Sequence, residues 1–215
     1  MEQTFMTNNQ GRLLAVGDIH GCLRQLQTLL TQVEPTDADQ VVFLGDYVDR
    51  GPDSAGVIDY LIEFGSTYPA TIFLRGNHEQ MFADYIAGKD SAAFLLNGGL
   101  KTLGSYHDNG LWPIPQSHRD FLASLANYYQ TKDFIFVHAG LRPGLPLADQ
   151  DEMDLLWIRQ EFISSDYDWG KTVVYGHTPQ EKPHSTRTRL GLDTGCVYGR
   201  QLTCCEVRTR QFWQV

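Results

Sequence analysis

The sequence predicts an α/β fold. Three times between residues 12 and 80 a short apolar run ends in a polar turn and is followed by a segment with helical spacing. Two further apolar runs, near residues 134 and 172, also end in histidine-bearing turns. Strands that deliver polar residues at their carboxyl ends, with helices between them, make a layered α/β architecture.

In chain order, Arg12-Leu13-Leu14-Ala15-Val16 reads as a buried strand bounded by Gly17. Asp18-Ile19-His20-Gly21 follows, then a helix with Leu23, Leu26, Leu29, Leu30 and Val33 on one face, ended by Pro35. The run Gln40 to Leu44 is a second strand and leads into Gly45-Asp46-Tyr47-Val48-Asp49-Arg50-Gly51. Pro52 and Asp53 start a second helix carrying Val57, Ile58, Leu61 and Ile62. A third strand, Pro69 to Leu74, delivers Arg75-Gly76-Asn77-His78-Glu79, with a helix expected from near Gln80.

Residues 88–130 break this rhythm with Asn97-Gly98-Gly99, Asn109-Gly110, Trp112, Pro113 and Pro115, and read as a helical insertion capping the sheet. Phe134 to Val137 resumes the core and ends in His138-Ala139-Gly140. A loop rich in Pro, Gly and Asp runs to about residue 152, before a short segment, Met153 to Arg159, that carries Trp157. Thr172 to Tyr175 is a strand ending in Gly176-His177-Thr178-Pro179, and two or three antiparallel strands are expected from Arg189 to Val207, with Asp193-Thr194-Gly195 at a turn. Without repeats or low-complexity segments, residues 1–215 read as one domain.

Composition narrows the partners. The chain is 42% hydrophobic and 20% charged with a net charge of −9, which argues against a broad nucleic-acid surface. No run is apolar and long enough to span a membrane, and Met1 to Gln10 lacks the apolar stretch of a signal peptide. Cys22, Cys196, Cys204 and Cys205 lack metal or redox spacing, so a reducing, cytoplasmic setting is expected. Cys22 reads as a small buried residue on a helix.

The chemistry lies in the turns. A single Asp or His after a strand is ordinarily structural, as an N-cap or a satisfied hydrogen bond. Here Asp18 and His20, Asp46, Asn77, His138 and His177 follow five different strands and converge on one sheet edge. Carboxylate, amide and imidazole donors together suit manganese, iron or zinc better than calcium. Two such ions about 3.5–4 Å apart need a bridging carboxylate, for which Asp46 is placed, and a hydroxide that is also the nucleophile. A phosphoryl group is the natural substrate, and Arg50, Arg75 and Arg159 offer guanidinium contacts to it. His78 adjoins a candidate ligand and suits a general acid, oriented by Asp49. His107, His118 and His184 lie away from these strand ends and read as surface or packing residues.

Gly17-Asp18-Ile19-His20-Gly21, Gly45 to Gly51 and Gly76-Asn77-His78-Glu79 resemble the signature blocks of the calcineurin-like metallophosphoesterases. His138-Ala139-Gly140 and Tyr175 to Pro179 resemble the later blocks, and the similarity runs from about residue 12 to 207. Within that superfamily the chain is most similar to PPP-type serine/threonine protein phosphatases, in particular the small bacterial and bacteriophage members. The resemblance implies a β-sandwich of two mixed sheets flanked by helices, replacing a single layered sheet. It implies that Asp18, His20 and Asp46 hold one metal, and that Asp46, Asn77, His138 and His177 hold the other. His78 and Asp49 become the acid and its partner, Arg50 and Arg75 bind phosphate, and Trp157-Ile158-Arg159 matches a Trp-x-Arg segment that adds a third contact.

The expected activity is therefore phosphomonoester hydrolysis on phosphoserine and phosphothreonine in proteins, with phosphotyrosine as an extension. It would use two divalent ions, manganese first and iron, zinc, nickel or cobalt as alternatives. A phosphoprotein substrate, no nucleic acid, no membrane and a monomer are the expected partners and state. Larger eukaryotic relatives carry Trp-Ser-Asp-Pro where this chain has Trp157-Ile158-Arg159-Gln160, and longer C-terminal parts for regulatory subunits. A symmetrical dinucleoside tetraphosphate hydrolase is the rival enzyme. That family typically has Val-Ala-Arg-Gly-Pro in place of Val48-Asp49-Arg50-Gly51-Pro52, and Asn-His-Asp in place of Asn77-His78-Glu79. A non-catalytic metal-bound scaffold is the reading from another class.

Overall fold

The computed structural model describes residues 11–215. The expectation for Met1 to Gln10 lies outside them. Among the described residues, ten strands form two five-stranded sheets. The first contains β1 (Leu13–Val16), β2 (Gln40–Phe43), β3 (Ile72–Phe73), β9 (Thr203–Glu206) and β10 (Gln211–Gln214), in the order β10-β9-β1-β2-β3. The second contains β4 (Tyr128–Gln130), β5 (Phe134–Val137), β6 (Thr172–Tyr175), β7 (His184–Ser185) and β8 (Arg189–Gly191), in the order β4-β5-β6-β8-β7.

Both sheets are mixed. β1, β2 and β3 run parallel, as do β5, β6 and β8, while antiparallel strands occupy the remaining places. This matches the two-sheet fold and corrects the picture of one layered sheet. The antiparallel series expected over residues 189–207 is split, because β8 pairs parallel with β6 while β9 joins the other sheet.

The helices are α1 (Leu23–Val33), α2 (Ser54–Thr67), α3 (Asn77–Ile86), α4 (Ala92–Phe94), α5 (Leu100–Asp108), α6 (Gln116–Ser124), α7 (Glu152–Trp157) and α8 (Gln160–Ile163). A π-helical turn, Leu95–Gly99, joins α4 to α5. The stretch 88–130 therefore carries the helices α4, α5 and α6, and its last residues enter β4.

Layering explains why the strands read as continuous apolar runs rather than alternating ones. In β1, Leu14 and Val16 pack against α1 and α2, whereas Leu13 and Ala15 face the second sheet. Val41 and Phe43 likewise face the helices, and Val42 faces inward. In the second sheet, Phe136 and Val174 point into the sandwich, while Ile135, Val137, Val173 and Tyr175 meet Leu155, Ile158 and Phe162 of the α7–α8 region. Strands covered on both faces need apolar side chains at every position. Cys22, Cys196, Cys204 and Cys205 are buried free thiols within these layers.

Short strands have a second consequence. Each spans only two to four residues, and the turns that follow carry the polar groups. β1, β2 and β3 send theirs from the first sheet, and β5 and β6 from the second. The polar turns of both sheets meet across one rim.

Candidate active site

Asp46 stands at the centre of that rim. Its Oδ2 lies 3.5 Å from His20 Nε2, and its Oδ1 lies 3.4 Å from His138 Nε2. Two three-residue groups of potential metal donors share it: His20, Asp46 and His78, and Asp46, His138 and His177. Asn77 joins the second group through its Oδ1, 3.0 Å from His138 Nε2. Asp18 stands apart from both groups; its carboxylate accepts the His177 backbone N–H at 2.9 Å. His78, assigned no ligand role from sequence, falls within donor distance of the first group.

The turn backbones are held in unusual conformations. His20, Asp46, Asp49, Arg50 and His177 all have φ between 47° and 72°. Among the described residues only Glu34 and Arg210 are other non-glycine residues with positive φ. Left-handed conformations cost non-glycine residues energy, and their concentration at one rim marks a site maintained for function. Gly45 (φ 99°) begins the turn, and Gly76 lies so close to Asp46 that a β-carbon there would collide with its carboxylate.

Glu79 secures this turn. One carboxylate oxygen accepts the N–H groups of Asp46 (2.8 Å) and Gly76 (2.9 Å), and the other those of Tyr47 (2.7 Å) and Val48 (3.2 Å). Four turn and cap amides are thereby satisfied by one side chain in the first turn of α3. From the sequence, Glu79 signalled only a difference between enzyme classes. Its carboxyl is raised to about 7, by burial first and by Asp46 second.

The imidazoles are oriented by backbone carbonyls. His20 Nδ1 donates to Val48 O at 2.8 Å, and His138 Nδ1 donates to Leu44 O at 2.9 Å. Each ring therefore directs an Nε2 lone pair inward, the arrangement typical of metal-binding histidines. Burial drives His20 down to about 3 and His177 down to about 2, and lowers His138. Burial alone would raise Asp46, but His138, His78, His20 and His177 together hold it below the usual carboxylate range.

This donor set fits divalent cations. His138 Nε2 and Asn77 Oδ1 are both acceptors and face each other at 3.0 Å, an arrangement that calls for a cation. His177 Nε2 is buried without a hydrogen-bond partner. Asp18, Asp46, Asp49, Glu79 and Asp193 are all buried in one region. Burial, Asp193 and Asp46 push Asp18 well above its usual value, and Asp193 rises to about 6 for the same first reason, burial. Carboxylates removed from water require compensating charge. Asp193 adjoins this cluster, which its sequence position at a turn did not reveal.

Asp49 and His78 form a hydrogen-bonded pair beside the first donor group. Asp49 Oδ2 lies 2.6 Å from His78 Nδ1, and both side chains are essentially inaccessible. Thr102 Oγ1 donates to the other Asp49 oxygen at 2.6 Å. Burial lowers His78, but Asp46 and the Asp49 hydrogen bond more than offset this, so the ring holds its proton above the ordinary histidine range. His78 Nε2 has no hydrogen-bond partner.

The arginines are less uniform. Arg50 Nη1 donates to His20 Nε2 at 2.7 Å, and its guanidinium lies 5.9 Å from the Tyr198 ring. Arg75 turns toward Gln80 (3.1 Å) and Glu152 (3.3 Å). Arg159 is exposed at the start of α8, and its charge lowers His138 and His177. Trp157, two residues earlier, packs edge-on against His177. Of the histidines set aside, His118 is buried, bonded to Tyr106 (2.9 Å) and Asp59 (2.8 Å), and His184 is bonded to Tyr175.

Comparison with known proteins gives a consistent family and a divided substrate. The family profile of the calcineurin-like phosphoesterases matches residues 11–205. The chain is 30% identical to serine/threonine-protein phosphatase 1 of Salmonella typhimurium, over 96% of both chains. It is 26% identical to the asymmetrical bis(5'-nucleosyl)-tetraphosphatase PrpE of Oceanobacillus iheyensis, over 93% of this chain and 90% of that one. A crystal structure of a candidate diadenosine tetraphosphatase superposes with a TM-score of 0.76 at 26% identity, covering 98% of this chain and 95% of the other. The nucleotide-hydrolase relative is thus of the asymmetrical kind, not the symmetrical kind expected as the rival.

Proposed function

We propose that this chain, which belongs to the calcineurin-like phosphoesterase family, is a metal-dependent protein phosphatase acting on phosphoserine and phosphothreonine. The observation that carries the reading is the Asp49–His78 pair at 2.6 Å with His78 Nε2 left free. A serine or threonine side chain leaves as an alkoxide, a strong base that needs a proton as the P–O bond breaks. A nucleoside polyphosphate leaves as a stabilised phosphate anion and gains far less from an acid. The serine/threonine phosphatase relative, similar over nearly its whole length, supports the same choice.

In this reading Asp18, His20 and Asp46 would hold one divalent ion, and Asp46, Asn77, His138 and His177 the other. Such ions supply Lewis acidity and bring the pKa of water toward about 7. Glu79 keeps the Asp46 turn rigid, and the carbonyls of Val48 and Leu44 fix the His20 and His138 tautomers. His78 gives its Nε2 proton to the leaving oxygen, while Asp49 stabilises the ring in the protonated form. Arg50 turns from His20 into the cleft, freeing that lone pair and offering a planar fork to the phosphate. Arg75 and Arg159 complete the phosphate contacts from the rim.

Hydrolysis of a dinucleoside tetraphosphate is the second reading, favoured by the whole-chain likeness to the structure of a candidate diadenosine tetraphosphatase. Steady-state kinetics with manganese-loaded protein on a phosphoserine peptide and on diadenosine tetraphosphate decides between them. The peptide is expected to have the higher kcat/KM. The reverse order overturns the protein-phosphatase reading.

A further inference from the structure

We propose that Thr102, on the α5 helix of the 88–130 stretch, is a positioning residue that acts on the leaving group through Asp49 and His78. The inference rests on the assignment of His78 as general acid. Thr102 is fully buried, 53 residues away from Asp49 in the chain, and belongs to none of the recognised blocks. Its Oγ1 donates to Asp49 Oδ1 at 2.6 Å and accepts the Asp49 backbone N–H at 2.9 Å. Ser54 Oγ lies 3.1 Å from Thr102 Oγ1 and 3.0 Å from the Asp49 nitrogen. One proton donated and two accepted use the whole capacity of a hydroxyl.

The geometry assigns each Asp49 oxygen one task. Oδ1 is fixed by Thr102, so Oδ2 is held toward His78 Nδ1 and the carboxylate cannot rotate about its terminal bond. His78 Nε2 is thereby aimed. Asp49 is also in the left-handed region (φ 72°), so its backbone needs an outside restraint, which Thr102 and Ser54 supply through its N–H.

Thr102 is part of a stripe. Gly98, Thr102, Ser105 and Asn109 recur at helical spacing, and each bonds the segment that follows β2. Gly98 O accepts the Arg50 N–H at 3.3 Å. Ser105 Oγ donates to Asp53 at 3.0 Å and accepts the Ala55 N–H at 2.9 Å, and Asn109 donates to Asp53 at 2.8 Å. Ser105 and Asn109 anchor the helix, and Thr102 alone among the side chains of the stripe reaches the Asp49–His78 pair.

The test compares Thr102→Val, Thr102→Ser, Ser105→Ala and His78→Asn, all metal-loaded, on a phosphoserine peptide and on p-nitrophenyl phosphate. Thr102→Val removes the donor at nearly constant shape, and partners behind a working residue are worth about 10–100-fold. The expected result is a loss of kcat of about that size on the peptide, KM within about twofold, and little change on the aryl phosphate, whose leaving group needs no proton. Thr102→Ser restores the peptide rate. Ser105→Ala lowers the melting temperature and leaves the ratio of the two rates unmoved. Equal losses on both substrates in Thr102→Val, or no loss in a folded variant, overturns the proposal. Should Thr102→Val fail to fold, Thr102→Cys, with its weak thiol donor, carries the same comparison. His78→Asn separates the layers. If it is not selective for the peptide, the acid assignment itself fails; if it is and the folded Thr102 variants are not, only the role of Thr102 fails.

Discussion

Asp49 Oδ2 sits 2.6 Å from His78 Nδ1, in a pocket that leaves neither side chain accessible to water. A carboxylate there stabilises the imidazolium and fixes which nitrogen faces the cleft. Removing it takes away the hydrogen bond that orients the ring and part of what favours its protonated form, leaving Asp46 as the other carboxylate that does so.

His78→Asn keeps an amide in place of the ring but cannot give up a proton. On a phosphoserine peptide kcat is expected to fall by about 10²–10⁴, the range for general acid catalysis. On p-nitrophenyl phosphate the loss is expected to be much smaller, with metal content unchanged by elemental analysis. Losses of the same size on both substrates would count against an acid.

Glu79 answers a different question, about the turn and not the reaction. Its two oxygens satisfy the N–H groups of Asp46, Tyr47, Val48 and Gly76. Glu79→Ala strands four amides of a buried turn, at about 1–3 kcal/mol for each donor left unpaired before relaxation. A net destabilisation of about 3 kcal/mol or more is expected in urea unfolding, with loss of metal affinity because Asp46 lies in the loosened turn. Glu79→Asp, one methylene shorter, should fall between. A Glu79→Ala protein as stable as the parent would show that Glu79 does not hold the turn.

How far these features could be read in advance depends on what carries them. The convergence of His20, Asp46, Asn77, His138 and His177 was legible because each lies in the turn that closes an apolar run, and buried strands end on a common rim. The two-sheet arrangement was not visible in those runs, since a strand buried on both faces reads alike in one sheet or two; only the resemblance supplied it. β3 spans just Ile72–Phe73 of the six residues expected, and α3 starts at Asn77 rather than Gln80, because Glu79 completes the helix start with its own side chain. Thr102 could not be found from sequence. A lone threonine on a helix carries no signal, and its partner lies 53 residues away. Arg75 was placed near the phosphate by its block, yet its guanidinium meets Gln80 and Glu152.

Away from the site, Asp39 gives the fold a pH dependence. Burial works against its charge, but the Arg12 side chain and the N–H groups of Thr36 and Arg12 more than compensate, holding it at about 2 against an ordinary 3.8. A carboxyl lowered on folding contributes stability that is fully present above about pH 4 and is lost as pH falls toward 2. Allowing for solvent screening, the contribution is about 1–2 kcal/mol. Asp39→Asn is therefore expected to be less stable than the parent at pH 7 by that amount, with the two denaturation curves converging between pH 4 and 2. A gap that persists unchanged at pH 2 would assign the loss to packing.

Asp46 is shared by both groups of donors, and that position makes its removal distinguishable from removal of any other residue at the rim. His177 belongs to one group only, so His177→Ala is expected to lower occupancy of one ion and leave the second bound. If Asp46 bridges two cations, Asp46→Asn takes away the charge that would offset their mutual repulsion, and both should be lost on gel filtration. Chelation of the parent should abolish phosphoesterase activity and lower the melting temperature, since Asp18, Asp46 and Asp193 then remain buried together without compensating charge. Manganese added back should restore both. Elemental analysis of the two variants provides the check: one ion retained by Asp46→Asn, with His177→Ala retaining both, would show that Asp46 does not bridge.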